Sequence, residues 1–227
     1  MNPVGPSVFV ALLGVLTIPL IYQTGKVFFN CRVGLLASAF YTVSPLIVKF
    51  SRSSWNPNPM PFFSLISILV LFYWQKTKKS KFLYLMVISF SIMLQLHYMA
   101  VLLAPFLIFV IFKFKESVSN KKHFIYAFLL FIFLLSPLIL FDLKHNFFNS
   151  RGILAILSER SNEGFDLFDL FSRSRDRLRQ LFSLFFNFTE RNWKTNLVII
   201  SILISFFFDW FKQKRVTKLL IYSWFIW

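Results

Sequence analysis

The chain has 227 residues, of which 57% are hydrophobic, 20% aromatic and only 15% charged, and its mean hydropathy is +0.65. This composition excludes an ordinary soluble domain and requires an integral membrane protein. The 25 Lys and Arg against 9 Asp and Glu give a formal charge of +16, which membrane topology must explain before any nucleic-acid role is considered. Thirty-three Phe against six Gly suit a bundle of greasy helices better than a barrel of alternating strands. Cys31 is alone and cannot form an intramolecular disulfide, no Cys/His cluster has metal-site spacing, and no Gly-rich phosphate loop is present.

In chain order, residues 7–29 carry a single charge, Lys26, and are long enough to cross about 30 Å of hydrocarbon as a helix. A second span is expected over 33–48, stopped by Lys49, Arg52 and the prolines Pro57, Pro59 and Pro61, and a third over 60–74. Residues 82–112 lack any Asp, Glu, Lys or Arg. As one helix they would be about 46 Å long, too long for a bilayer at ordinary tilt, so a break is expected at Gln95-Leu96-His97-Tyr98 between spans 82–95 and 98–112. Further spans are expected over 124–141 and 196–211, with an incomplete one over 219–227, and residues 142–195 form one long polar-aromatic segment. Within that segment, residues 167–185 place Leu167, Phe171, Leu178, Leu181, Phe182 and Phe185 on one helical face, an interfacial amphipathic helix. Asn187-Phe188-Thr189 is a weak glycosylation sequon.

Charge tests the parity of this count, because short cytoplasmic loops collect Lys and Arg. With the break at His97, one side receives Lys26 and Arg32, then Lys76, Lys78, Lys79 and Lys81, then Lys113, Lys115, Lys121 and Lys122, then Lys212, Lys214, Arg215 and Lys218. The short connections opposite carry only Lys49 and Arg52. A single helix over 82–112 would abolish this asymmetry. The two-helix reading therefore puts 49–60, 95–98 and 142–195 together on the extracytoplasmic face of an all-α, polytopic transmembrane bundle. Both ends read as cut: no cationic flank precedes the first span and the last hydrophobic segment stops at Trp227, so an internal fragment of a larger multi-pass protein is expected.

Three polar clusters lie on that face. In the first, Arg52 beside Trp55 and Asn56 can hold a lipid phosphate through its planar fork, or can snorkel to headgroups while Trp55 joins an aromatic belt. In the second, Gln95 and His97 sit where a broken helix would line a cavity, or where it would simply turn at the surface. In the third, Asp142 can position a sugar hydroxyl and Lys144 and His145 can neutralise phosphate, or the cluster is a solvated helix end. The Phe-rich runs are lipid-facing or packing residues. The scattered cations, separated by spans, speak against nucleic acid.

The order of these segments has a counterpart. Pro3-Val4-Gly5-Pro6, Leu12-Leu13-Gly14-Val15-Leu16-Thr17, Tyr22 and Gly25-Lys26, then Ser44-Pro45, Ser51-Arg52 and Trp55-Asn56-Pro57, then Gln95-Leu96-His97-Tyr98, then Phe141-Asp142-Leu143-Lys144-His145-Asn146-Phe147, resemble glycosyltransferase family 39. This is the family of dolichyl-phosphate-mannose-protein mannosyltransferases and bacterial lipid A aminoarabinose transferases, within the GT-C superfamily. The resemblance implies an inverting, multi-spanning enzyme of the cell membrane that takes a hexosyl or pentosyl group from a polyprenyl-phosphate-sugar donor and gives it to a protein, lipid or glycan acceptor; no cofactor is expected, and nothing visible in the sequence requires a divalent metal. It also implies a general base on an acidic residue in the first extracytoplasmic loop, expected before Met1, so that the chain by itself would be inactive. Arg52, Trp55, Asn56, Gln95, His97, Asp142, Lys144 and His145 are then the expected substrate-binding residues. The alternative is a transporter or flippase of lipid-linked sugars, which would call for intramembrane charges or inverted repeats, and neither is visible.

Overall fold

A computed structural model describes residues 4–114 and 121–162, together with Asp176, Arg177 and Gln180. Among the described residues every regular element is helical, and the chain is an all-α membrane helix bundle. The expected spans 196–211 and 219–227, the sequon, and all of the expected amphipathic helix except Asp176, Arg177 and Gln180 lie outside the described residues. Two compact units are present, one holding the residues up to Leu134 and the other beginning at Leu135.

The helices are α1 (Val4–Phe28), α2 (Cys31–Val43), α3 (Pro45–Ser51), α4 (Met60–Thr77), α5 (Ser80–Leu96), a 3-10 helix (Tyr98–Leu103), α6 (Ala104–Phe114), α7 (Lys122–Lys144) and α8 (Phe148–Asn162). By length and apolarity α1 and α7 can each cross a membrane alone, and α2 with α3 can do so as a bent pair.

In the first unit α1 and α2 form a close hairpin. Asn30 turns the chain with extended backbone and accepts a hydrogen bond from the Val33 N–H at 3.0 Å, satisfying one of the donors a helix start leaves open. Gly25 and Gly34 make the contact: a Cβ at Gly25 would lie 2.6 Å from the Gly34 Cα, and one at Gly34 would lie 2.5 Å from the Tyr22 carbonyl oxygen. Small residues let helix backbones touch, which is how helices associate where lipid removes the hydrophobic drive between them.

The segment expected as the second span, 33–48, is a bent helix pair. The chain bends by 65° between α2 and α3, and α3 runs on through Lys49 and Phe50 to Ser51. Pro45 is the cause: it lacks an N–H and its ring disfavours helical backbone at Ser44, which takes ψ 121°.

Helices α4 and α5 are antiparallel, joined at Lys78, whose φ of 57° makes the left-handed helix cap usually given to Gly. Midway along them the buried Ser67 and Ser89 hydroxyls bond at 2.7 Å, a polar tie in an apolar bundle. Near the turn, Tyr73 stacks on Phe82 at 5.7 Å. Trp74, Leu83, Met93, Ala100 and Leu103 are fully buried and form the centre of the core, which Leu107 and Ala127 extend toward α6 and α7.

Helix α5 ends at Leu96, His97 is extended (φ −160°, ψ 133°), and the chain returns through the 3-10 helix and α6. The return is complete: Lys78 lies 5.0 Å from the ring centroid of Phe114, so the last residue of α6 comes back to the last turn of α4. The start of α7 is there too, since Tyr84 bonds to His123 Nδ1 at 2.7 Å and Trp74 meets Phe124 edge to face at 6.2 Å. So is the end of α1, where Phe28 meets Phe72 at 5.0 Å. One end of this unit therefore carries Lys26, Lys76, Lys78, Lys79, Lys81, Lys113, Lys121 and Lys122, and the other carries Lys49 and Arg52.

Candidate functional site

The end opposite the lysine-rich turns is built from irregular backbone. Between α3 and α4 the chain folds into successive tight turns, with Ser53 N donating to Phe50 O at 3.2 Å, Asn58 N to Trp55 O at 3.0 Å and Met60 N to Pro57 O at 2.9 Å. Pro57 and Pro59 restrict φ on either side of Asn58. The Asn58 carboxamide closes the loop, its Nδ2 donating to Phe50 O at 2.7 Å and to Ser53 O at 2.8 Å. Arg52, Trp55 and Asn56 are exposed on this loop, and the Trp55 ring lies 6.1 Å from that of Phe50. Asn58 is not among the residues expected from sequence; its place between two prolines was the available signal.

His97 lies at the same level. Met60 is seven residues before Ser67 on α4, and Leu96 is seven residues after Ser89 on α5. Both are about 10 Å from the Ser67–Ser89 bond, in the same direction along antiparallel helices. The extended His97 caps the 3-10 helix by accepting the Met99 N–H at Nδ1, 3.2 Å away, and its ring stacks on Tyr98 at 4.6 Å. Because Nδ1 accepts, the neutral ring carries its proton on Nε2, so the free side of His97 is a hydrogen-bond donor. Gln95, three residues before Tyr98, donates its amide to Leu134 O at 3.0 Å. That carbonyl lies one turn before Pro137, in the stretch of α7 that proline perturbs, so one amide hydrogen of Gln95 ties α5 to α7.

Asp142, Lys144 and His145 belong to the second unit and sit at the turn from α7 to α8. Asn146 and Phe147 take left-handed backbone there, with φ 54° and 59°. Asp142 stabilises the turn by capping α8: Oδ1 accepts from Asn149 N at 2.7 Å, and Oδ2 accepts from Ser150 N at 3.3 Å and from the Ser150 hydroxyl. His145 lies over Phe141 with 4.0 Å between rings, and its Nδ1–H donates to the Phe141 carbonyl at 2.8 Å, so the neutral ring presents a lone pair outward, the reverse of His97. Lys144 is exposed in the last turn of α7.

The fold thus puts Arg52, Trp55 and Asn56 on the loop that enters α4 and Gln95 and His97 at the end of the antiparallel α5, at a similar level in the first unit, and holds Asp142, Lys144 and His145 within one turn of the second. Among the described residues no group of three or more His, Cys, Asp or Glu could hold a metal ion.

These features define an α-helical membrane protein whose exposed Arg52 and half-buried His97 stand on irregular backbone, away from its lysine-rich end. Residues 4–141, more than half of the chain, match the family model described as dolichyl-phosphate-mannose-protein mannosyltransferase, and the chain belongs to that family, a GT-C membrane glycosyltransferase. No curated protein and no solved structure matches the chain.

Proposed function

We propose that the protein moves a sugar from a polyprenyl-phosphate-linked donor to the hydroxyl of a protein, lipid or glycan acceptor at the extracytoplasmic face of the cell membrane. The observation that carries the reading is the separation of charge in the first unit. The lysine-rich turns meet at one end, which short cytoplasmic loops favour, and Arg52 and His97 stand at the other.

In the reaction the acceptor oxygen attacks the anomeric carbon, the bond from that carbon to the phosphate oxygen breaks, and the acceptor proton passes to a base. Negative charge grows on the departing polyprenyl phosphate. Arg52 can meet it with two parallel N–H donors, and His97 with its Nε2–H, without first losing a proton. Trp55 and Asn56, exposed on the Arg52 loop, are placed to contact the sugar or the interfacial part of the lipid. Asp142 is not the base in this reading, because both its oxygens already accept hydrogen bonds from α8.

The test is release of polyprenyl phosphate from defined undecaprenyl-phosphate sugars, in lipid nanodiscs, by the protein expressed together with the acidic first extracytoplasmic loop that the family resemblance implies. Arg52→Ala is expected to lower kcat/KM by about a hundredfold, the loss of a charge-assisted pair, with Arg52→Lys in between. Transfer by Arg52→Ala at the wild-type rate removes Arg52 from the site, and no turnover with any lipid-linked sugar removes the proposed activity.

A further inference from the structure

We infer that Asn58 is the positioning residue of Arg52. The inference rests on the donor-phosphate reading given above and adds the group that aims the guanidinium.

Asn58 Nδ2 has two hydrogens, and two carbonyls receive them. Phe50 O lies at 2.7 Å and Ser53 O at 2.8 Å, one on each side of Arg52 in sequence. A third contact, to the Ser53 hydroxyl at 3.4 Å, is long and adds little. The bonds span eight and five residues, so they close the loop on itself rather than cap a helix. The preceding helix α3 is only seven residues long, and the backbone N–H groups of Arg52 and Ser53 both return to Phe50 O, the carbonyl that Asn58 also holds.

The anchor itself is stiff. Pro57 and Pro59 restrict the backbone around Asn58, Asn58 N is bonded to Trp55 O, Pro59 is buried, and α4 begins at Met60. Asn58 therefore transmits the fixed start of α4 to the backbone of Arg52. An arginine on an untied loop would have to lose backbone freedom at 52–56 on binding an anion; the Asn58 tie removes that freedom beforehand. Only a carboxamide donates both hydrogens from this place. An Asp of nearly the same shape would set a carboxylate against two carbonyl oxygens.

The experiment is a double-mutant cycle on the binding of undecaprenyl phosphate, the chemical class of the leaving group, to the full chain in nanodiscs. Arg52→Ala and Asn58→Ala are each expected to weaken binding, Asn58→Ala by about tenfold. In the Arg52→Ala background Asn58→Ala is expected to change nothing further, because a residue that acts through Arg52 has nothing left to aim. Ser53→Ala, which removes only the long contact, is expected to bind like the wild type. Should Asn58→Ala fail to fold, the cycle is run with Asn58→Gln, which keeps both donors on a longer arm and should give a smaller loss that also vanishes without Arg52. Equal losses in the two backgrounds, or wild-type binding by Asn58→Ala, overturn the inference. If Arg52→Ala binds normally while Asn58→Ala does not, the donor-phosphate role of Arg52 falls and the positioning role falls with it. If both single variants weaken binding independently, Arg52 stands and only Asn58 is refuted.

Discussion

The ammonium of Lys78 lies 5.0 Å from the ring centroid of Phe114 and 5.5 Å from that of Trp74. A cation over two aromatic faces is worth about 0.5–2 kcal/mol per ring, depending on how dry the site is. Burial pushes this ammonium below the usual lysine range, so it gives up its proton more readily than an exposed lysine does. The larger consequence is topological. The contact joins the turn after α4 to the end of α6, which requires α5 and the 3-10/α6 segment to go out and come back rather than run on as one rod.

This geometry predicts how the ends can be labelled. With Cys31 replaced by Ser, single cysteines at Lys79 and Lys113 should react with an impermeant maleimide from the same side of sealed vesicles, and a cysteine at Ser54 from the opposite side. Opposite accessibility for positions 79 and 113 would break the hairpin, whatever the orientation of the vesicles.

The α1–α2 hairpin depends on bare backbone at Gly34. Gly34→Ala would put a methyl group 2.5 Å from the Tyr22 carbonyl, and a backbone atom cannot swing aside as a side-chain tip can. A destabilisation of about 1–3 kcal/mol is expected, seen as a lower unfolding midpoint in detergent. Gly5→Ala meets nothing within 4 Å and should show no loss. Equal midpoints for the two variants would mean that the helices do not approach as described.

Asp142 separates a structural role from a chemical one. As the cap of α8 it should tolerate Asn, whose Oδ1 can still accept from Asn149 N, so Asp142→Asn is expected to keep transfer within about twofold. Asp142→Ala should cost about 1 kcal/mol of helix stability, measured as earlier proteolysis after α7. Loss of transfer in Asp142→Asn with the turn intact would return this carboxylate to the reacting centre.

The sequence by itself determined that the protein is helical and membrane-embedded, because a hydrocarbon core tolerates only segments that satisfy their own backbone, and long uncharged runs such as 4–25 and 124–141 announce that directly. Its residues also resemble the family to which the chain belongs. The expected span 33–48 ran through Pro45, and only the fold shows that the chain bends by 65° there. What the tertiary structure alone decided are pairings across distant positions. Ser67 with Ser89, Tyr84 with His123, Gln95 with Leu134 and Asn58 with Phe50 have no mark in local pattern, because a hydrogen bond between helices depends on their register and rotation. The same holds for the two histidines. In sequence His97 and His145 are equivalent, but the groups that reach Nδ1 in each, a backbone N–H in one and a carbonyl in the other, decide that His97 turns a donor outward and His145 an acceptor.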